Sequence, residues 1–417
     1  MYKPRVVFPF VEAGMGHIMP QRAIVDAFEQ KYGRYATVIR SDFYKESGRK
    51  KLIAFEKMLV REVKNYNKCT LYGWANMFMM HLLRSPLLSF LIMEIFVPGA
   101  KGEACAHFEE LRPDMVVSTH WSTNYYAQKL DKKPLTALYV PDNYVIPLCY
   151  YPSDKVMVST RGGYKKALKK KHRFNKDNLA LVPFAIRNEA FLLPTNKSEA
   201  RALLGLDEKF TVVLFEGGYG LGKMSKIITA LINADVNMNV IAICGKNKKL
   251  YDKLSSIKRE GKTQLIVKGF CEDALLYVAS ADVFLGKAGA SSVAEPTYFG
   301  CAEIITKCAT TMEKHNAEHY VYDVKNALRI SSVKKIVEKI VELQDNEEYL
   351  KSLQENALKV HDEFGSEKTA DVLWEMLCNK FPHLKAIKIE EQQRVQPQIQ
   401  SELKAKQESA QISFFNN

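Results

Sequence analysis

The sequence lacks the short motifs by which many enzymes hold a metal ion or a disulfide. Its eight cysteines contain no C-x-x-C pair, which argues against a zinc ribbon or a disulfide framework and for a reducing compartment. No Asp-x-Asp pair is present either. We therefore expect the protein to work without a metal ion or other cofactor. We also expect no secretory signal in the N-terminal stretch, which runs directly into strand-like sequence.

Long apolar runs are missing as well. The longest, residues 87–97, is interrupted by Ser89 and Glu94 and ends at Pro98, so it is shorter than the about 20 residues that cross a bilayer. The 417 residues are 47% apolar and 26% charged, a composition typical of a soluble globular chain of two or three domains. A peripheral contact with a membrane stays open.

Positive charge is in excess, with a formal net charge of +13. Part of the excess is concentrated in residues 161–173, where six of the nine residues after Tyr164 are Lys or Arg. Such a cluster favours binding to an anionic surface, and attraction to anionic lipid headgroups contributes about 1 kcal/mol of binding free energy per basic residue. The alternative is that these residues form a solvated helix face. Aromatic residues do not alternate with basic ones in the pattern that stacks nucleic-acid bases, so we expect no nucleic-acid partner.

Short apolar runs alternate with helical patterns in two successive series, which predicts an α/β fold with two Rossmann-like parallel sheets. The predicted strands of the first series are 5–11, 36–42, 115–119, 135–140, 155–159 and 179–182, and those of the second are 210–215, 238–244, 264–267, 281–285 and 302–306. Residues 183–196, which hold prolines at both ends of an irregular stretch, are the predicted linker.

These patterns divide the chain into domains 1–185 and 186–380, followed by a polar tail, 381–417, that we expect to be disordered or a lone exposed helix. Residues 48–96 depart from the alternation and form a helical insertion in the first domain. Their mixture of Met, Phe, Leu, Tyr and Lys suits amphipathic helices on a membrane surface or over an acyl chain. The alternative is that these helices simply pack on the sheet.

Residues 283–319 contain the most informative pattern. A buried strand leads into residues 286–292, where Lys287 is the only bulky side chain, so a diphosphate could approach bare amides at the N-terminus of the next helix. Glu295 would lie one turn inside that helix, where a carboxylate can accept hydrogen bonds from ribose hydroxyls. The alternative is an ordinary helix N-terminus with an acidic first turn.

Two more glycine-rich turns follow predicted strands. The first, residues 12–17, contains Gly14 and Gly16 and ends at His17, the one side chain there that can take a proton near neutral pH. The second, residues 216–222, has glycines two apart and lacks the dinucleotide spacing. At the carboxyl ends of two parallel sheets, both turns would face the cleft where ligands bind.

Eight segments then carry a resemblance: EAGMGHIMPQRAI, VVSTHWS, VPDNYV, VPFAIRNEAF, LFEGGYGLGKM, CGKNKKLYDKL, VKGFCED and KAGASSVAEPTYFG. Over about residues 5–380 the chain resembles the diacylglycerol glycosyltransferases, which include the processive glucosyltransferases and the monogalactosyldiacylglycerol synthases. It is more distantly similar to the enzyme that forms lipid II. The resemblance implies a GT-B fold, in which two domains face a cleft, the first binding the acceptor and the second a UDP-sugar.

The resemblance also assigns residues. His17 matches the histidine proposed as the base or as a diphosphate contact, while Asp142 and His120 are the groups that would support it. The positions that match donor-binding residues are Gly14, Gly16, Gly217, Gly218, Gly220, Lys287, Ala288, Gly289, Glu295, Glu313 and Asn316.

Two family motifs are altered. The late motif reads Thr310 and Thr311 in place of proline and glycine, and Met312 in place of the glutamine expected to touch the donor sugar. Ile146 and Pro147 stand where the family usually has a histidine after its Thr-Asp pair. The identities of the hexose and of the acceptor therefore do not follow from the resemblance.

The resemblance implies an inverting glycosyltransferase that moves a hexose from a UDP-sugar to a membrane lipid, expected to be diacylglycerol. The enzyme would be cytoplasmic and peripherally associated with the inner face of the membrane, with UDP-hexose, the lipid acceptor and an anionic membrane surface as partners. Two alternatives remain. One is a UDP-sugar enzyme that uses another acceptor or epimerises the donor, and the other is an inactive nucleotide-binding relative.

Overall fold

Two parallel six-stranded sheets form the framework of the molecule. The computed structural model describes residues 2–12, 15–68, 70–83, 85, 87–88, 91, 94, 98–170, 173–216, 223–257 and 261–386. The strand order is β2-β1-β3-β4-β5-β6 in the first sheet and β12-β11-β10-β7-β8-β9 in the second. The α/β class with two parallel sheets, predicted from the alternation of apolar runs and helical patterns, is confirmed.

The strands lie where the buried apolar runs predicted them. They are β1 Arg5–Phe10, β2 Thr37–Asp42, β3 Met115–Ser118, β4 Leu135–Val140, β5 Lys155–Val158, β6 Leu179–Leu181, β7 Phe210–Phe215, β8 Met238–Ile243, β9 Gln264–Lys268, β10 Val283–Lys287, β11 Ala302–Lys307 and β12 Ala327–Arg329. Strand β12 was not predicted, because three residues at a sheet edge are too few to show a period.

Helices cover both sheets. The described α-helices are α1 Met15–Tyr32, α2 Phe43–Glu46, α3 Lys50–Lys68, α4 Thr70–Leu82, α5 Lys101–Leu111, α6 Trp121–Ala127, α7 Arg161–Leu168, α8 Lys197–Leu203, α9 Met224–Ala234, α10 Lys248–Ser255, α11 Ala274–Ala279, α12 Ala290–Tyr298, α13 Thr311–Glu318, α14 Val333–Asp345, α15 Glu347–Leu358 and α16 Glu367–Lys380. A π-helical turn, His319–Val324, continues α13.

The strand orders place two crevices at the carboxyl ends of the sheets. In the first sheet the winding reverses at β1 and β3, and in the second at β10 and β7. Ligands of open parallel sheets bind at such reversal points, outside the carboxyl ends of the strands. The glycine turn with His17 follows β1, and the turn with Gly289 follows β10, so both predicted turns lie at a reversal point.

The last described helix, α16, returns to the first sheet. The ring of Trp374 stacks on Tyr32 of α1 at a centroid distance of 4.6 Å, and Ala370 and Leu373 belong to the same buried cluster as Phe8 of β1. Before this helix the chain pairs with the linker, because Phe184 donates a backbone hydrogen bond of 2.7 Å to Glu363. The boundary at residues 185 and 186 stays a prediction, but α16, which was assigned to the second domain, packs on the first.

The predicted insertion, residues 48–96, contains one packed and one open helix. Leu52 and Phe55 of α3 pack into a buried cluster on the face of the first sheet opposite α1. This packing agrees with the alternative that the helices simply cover the sheet. Helix α4 turns Leu71, Trp74 and Phe78 to solvent, with 79%, 67% and 65% of their surface exposed. Among the described residues, no helix is long and apolar enough to span a bilayer. Most residues of 84–97, and the tail from 387 to 417, lie outside the described residues.

One carboxyl group is buried inside the second sheet. Glu303 of β11 accepts hydrogen bonds from Thr297 at 2.6 Å and from Asn326 at 3.1 Å, and burial raises its pKa from 4.5 to about 8. The folded state therefore binds a proton that the unfolded chain releases above pH 4.5. The stability that this proton gives is complete below pH 4.5 and is lost as the pH rises through about 8.

We expect Glu303→Gln to remove this pH dependence, because the amide keeps the acceptor oxygen and never ionises. Within the window, the single proton changes the unfolding free energy by at most about 1.4 kcal/mol per pH unit. Urea unfolding at pH 5, 6.5 and 8 measures the slope, with the exposed Glu338→Gln as control. Equal slopes in the wild type and Glu303→Gln would contradict the expectation.

Candidate active site between the two sheets

His17 lies in the first turn of α1, directly after β1. Its Nδ1 is 2.7 Å from the backbone oxygen of Thr119, and the Thr119 hydroxyl donates to the backbone oxygen of His17 at 2.9 Å. A carbonyl oxygen can only accept, so Nδ1 carries the proton when the ring is neutral. The lone pair of Nε2 is then available to take a proton from a substrate, as a base requires.

His120, the second predicted imidazole, lies against His17. The two rings meet edge to face at 5.1 Å. The Nδ1 of His120 accepts from the backbone N–H of Ser122 at 3.3 Å, and the Ser122 hydroxyl lies 2.6 Å from both this nitrogen and the hydroxyl of Tyr44. Burial and the charge of His17 lower the pKa of His120 well below its usual value, so His120 stays neutral.

Asp142 follows β4 and faces the same cleft. Its Oδ1 accepts a hydrogen bond of 2.7 Å from the side-chain amide of Asn316. Burial raises the pKa of Asp142, while the hydrogen bond from Asn316 and the positive charge of His17 oppose that rise. Asp142 from the first domain is therefore brought together with Asn316 from the second.

The turn after β10 has the form predicted for a diphosphate site. Gly289 caps α12 with an ordinary φ of −68°, so glycine serves here by its small size. A Cβ at this position would lie 3.3 Å from the Ser292 hydroxyl and 3.8 Å from Cε of Lys287. The hydroxyl of Ser291 is buried and has no hydrogen-bond partner among the described residues. Free amides at the N-terminus of a nine-residue helix, beside a lysine, suit a phosphate group.

Glu295, the predicted ribose-binding acid, is held by a residue that the sequence did not single out. Arg187 of the linker donates from Nε to Oε1 and from a terminal nitrogen to Oε2, both at 2.9 Å. Each carboxylate oxygen keeps a second lone pair for a ribose hydroxyl. The quoted segment VPFAIRNEAF contained Arg187, but only the fold shows that it lies against a residue 108 positions later.

Lys287 and Glu313 form an ion pair of 3.1 Å at the edge of this turn. The other oxygen of Glu313 accepts from the backbone of Ala309 at 2.6 Å, while Thr310 caps α13 by accepting from the backbone of Glu313 at 3.2 Å. Thr310 therefore replaces the family's proline with a working helix cap. Glu313 orients Lys287, and its assignment as a donor contact stays a prediction.

Asn316 is buried between the sheets. Its amide nitrogen donates to Asp142 at 2.7 Å and to the backbone oxygen of Ala288 at 3.1 Å, and its oxygen accepts from the backbone of Asn143 at 2.8 Å. The predicted positions Gly14, Gly217, Gly218 and Gly220 lie outside the described residues. Gly16 lies in the first turn of α1, and apart from its chain neighbours and its own helix backbone no heavy atom of the described residues comes within 4 Å of the place a Cβ would take.

Comparison with known proteins agrees with this geometry. Residues 222–371, which contain the turn after β10 and α12 to α15, match the glycosyltransferase family 28 C-terminal domain. The chain is 26% identical over 377 residues to monogalactosyldiacylglycerol synthase 3 of Arabidopsis thaliana, an alignment that covers 84% of this chain and 76% of the relative. It is 27% identical over 172 residues to the processive diacylglycerol beta-glucosyltransferase of Bacillus pumilus, covering 41% of this chain and 45% of that protein.

Solved structures share the fold. The MurG of Acinetobacter baumannii superposes with a TM-score of 0.54 at 14% identity, over 89% of this chain and 99% of that one. Arabidopsis thaliana UGT89C1, solved with UDP, gives 0.56 at 15% identity over 90% and 100%. The predicted GT-B architecture and the predicted resemblance are both confirmed. The chain is a glycosyltransferase whose residues 222–371 match the family 28 C-terminal domain, and it is similar along most of its length to monogalactosyldiacylglycerol synthase 3.

Proposed function

We propose that this glycosyltransferase moves a hexose from a UDP-sugar to the hydroxyl group of a membrane lipid, diacylglycerol, with inversion at the anomeric carbon. The observation that carries the proposal is the position of His17. Its Nδ1 is fixed on Thr119, its Nε2 is left as a base, and it lies in the cleft opposite the phosphate-binding turn at Gly289. The relatives named for diacylglycerol support the choice of acceptor.

The reaction would be a single displacement. The acceptor oxygen attacks the anomeric carbon and loses its proton to Nε2 of His17, while the bond from that carbon to the UDP oxygen breaks. Attack from the face opposite the leaving group inverts the configuration. The negative charge that forms on UDP meets the amides that begin α12 and the ammonium group of Lys287, so the departing group is stabilised by the protein alone.

The donor would lie on the second sheet. The ribose hydroxyls would donate to the free lone pairs of Glu295, which Arg187 holds in place through two bonds of 2.9 Å. The diphosphate would lie between the Gly289 turn and Lys287. UDP in the solved UGT89C1 complex supports this choice of nucleotide on the shared fold.

The acceptor would be reached from the inner face of the membrane, on which the protein would lie peripherally. Helix α4 exposes a face made of Leu71, Trp74 and Phe78, spaced three and four residues apart. The neighbouring α3 exposes Lys57 and Arg61. An apolar face next to basic residues suits an interface helix on anionic lipid.

We expect the double variant W74S/F78S to lose vesicle binding by at least about ten-fold, because the two side chains are the largest apolar groups on this face. Sedimentation with vesicles that contain anionic lipid measures the bound fraction. The matched control, L192S/L203S, removes two exposed apolar side chains of the second half and should bind as the wild type does. Unchanged binding of W74S/F78S would remove α4 from the membrane contact.

The function itself is tested by incubating the protein with diacylglycerol liposomes and a panel of UDP-sugars, with glycolipid detected by mass spectrometry. A glycosylated diacylglycerol supports the proposal. A sugar product formed without liposomes would favour another acceptor or an epimerase. UDP binding without turnover of any donor would favour an inactive relative, the reading that the altered positions Met312, Ile146 and Pro147 suggest.

A further inference from the structure

The two sheets are joined at the cleft by a buried contact between Asn143 and helix α13. The backbone N–H of Asn143 donates to the side-chain oxygen of Asn316 at 2.8 Å, and its side-chain amide donates to the backbone oxygen of His315 at 3.0 Å. The side-chain oxygen of Asn143 accepts from Thr160. Both asparagines are 2% exposed, so water cannot replace these partners without opening the contact.

The amide of Asn316 has few hydrogen-bonding positions left. Its two N–H groups go to Asp142 and to the backbone of Ala288, and its oxygen receives Asn143. A side-chain amide offers two donors and one acceptor oxygen. A hydroxyl group of a donor sugar could therefore receive a hydrogen bond from Asn316 only if Asp142 or Ala288 lost one.

An apolar contact lies next to this polar one. Met312 of α13 packs against the buried cluster that contains Val145 and Ile146 of the first domain, and the rings of Tyr144 and His315 stack at 4.4 Å. Met312 and Ile146 are two of the positions at which the chain departs from its family pattern. Both departures lie on the same surface, where a methionine and an isoleucine give an apolar contact between the domains.

We propose that Asn143 and Asn316 are positioning residues that join the two domains and hold the Asp142 carboxylate in the cleft. The hydrogen bonds of these two residues, here called the bridge, also reach the phosphate-binding turn, because Asn316 donates to the backbone oxygen of Ala288. The first domain's base and the second domain's donor turn are thereby fixed relative to one another by a single helix. The inference deepens the proposed function and rests on it.

The hydrogen bond from Asn316 also affects the pKa of Asp142. The charged or titratable groups that face Asp142 are His17, Lys287, Glu313, Tyr139 and Cys149. Burial raises the pKa of this carboxyl group, and the hydrogen bond from Asn316 is the largest influence that opposes the rise. Loss of that bond would favour the neutral acid, so the cleft would lose a negative charge.

Asn316→Ala and Asn143→Ala test the bridge. Asn316→Ala should lower kcat by roughly 10- to 100-fold, because it loses its bonds to Asp142, Ala288 and Asn143. Asn143→Ala keeps its backbone N–H and loses only the side-chain bonds with His315 and Thr160, so its kcat should fall by less, about 3- to 10-fold. The KM for the UDP-sugar and the Kd for UDP should change by less than about three-fold. The double variant should be no slower than the slower single variant, since the two side chains act through one contact. Asn346→Ala, which removes an amide that caps α15, is the control.

A sugar contact would give different results. Asn316→Ala would then raise the KM for the donor while Asn143→Ala stayed like the wild type, and this pattern would overturn the proposal. A second readout does not need turnover. Hydrogen exchange of the backbone amides of α13, followed by mass spectrometry, should be faster in Asn316→Ala and Asn143→Ala than in the wild type and unchanged in Asn346→Ala. If the wild type transfers no sugar, the proposed function fails, and unchanged exchange in the two variants would then overturn the bridge as well.

Discussion

Replacing His17 with alanine should lower kcat by about 10² to 10⁴-fold, the range that general-base catalysis contributes, while UDP binds as tightly as before. The reason is geometric. Thr119 fixes the proton on Nδ1, so Nε2 is the one ring nitrogen that can accept the acceptor's proton, and His120 is held neutral with its own Nδ1 already bonded. His120 cannot take over this proton transfer at Nδ1, because that nitrogen would have to release the backbone N–H of Ser122 that it caps at the start of α6.

His17→Gln separates the base from the fold. Its amide can still donate to the backbone of Thr119, but it has no basic nitrogen, and we expect the same loss of kcat as in the alanine variant. His383→Ala, which alters a half-buried imidazole next to the backbone of Tyr2 before β1, serves as the control. Initial rates with liposome acceptor and calorimetric titration with UDP measure the two effects. Transfer by His17→Gln at the wild-type rate would rule His17 out as the base.

Replacing Glu295 with alanine should weaken UDP binding and raise the KM for the UDP-sugar by about 10- to 100-fold. Two charge-assisted hydrogen bonds to ribose hydroxyls would be lost, and each is stronger than a bond between neutral groups. The same change leaves Arg187 without its partner, so the melting temperature should fall as well. Arg187→Ala provides the matched comparison, because it breaks the same ion pair and keeps the carboxylate.

The comparison separates binding from stability. Both variants should lose thermal stability, but only Glu295→Ala should lose nearly all of its affinity for UDP, and Arg187→Ala should lose much less. Calorimetry with UDP and thermal unfolding measure the two quantities on the same samples. An equal loss of affinity in both variants would show that Glu295 acts only through its ion pair with Arg187.

Local sequence patterns predicted the strands because nearly every strand is a buried apolar run bounded by turns. They predicted the turns at His17 and Gly289 because small residues after a strand leave a recognisable signal. Contacts between distant segments left no such signal. The apolar face of α16 shows that the helix is buried, but not that it covers the first sheet, and no spacing links Arg187 to Glu295 or Met312 to the cluster around Ile146.

The altered family positions show the same limit. Read alone, Met312 and Thr310 look like lost function, since each replaces a residue of the family pattern. In the fold, Thr310 caps α13 and Met312 packs across to the first domain. A substitution that removes a polar contact can add an apolar one elsewhere, and only the three-dimensional neighbours show which has happened.

The return of α16 to the first sheet means that the polypeptide crosses between the two halves twice, once through the linker and once before α16. The two crossings run side by side, since Phe184 donates to Glu363 and receives a hydrogen bond from Gly365 at 2.9 Å. The two halves are therefore tied together at one place, where Phe184 and Phe364 also form an isolated parallel bridge. We expect any relative movement of the halves to pivot there, and any opening of the cleft to break the hydrogen bonds that join Asn316 to Asp142 and to Asn143.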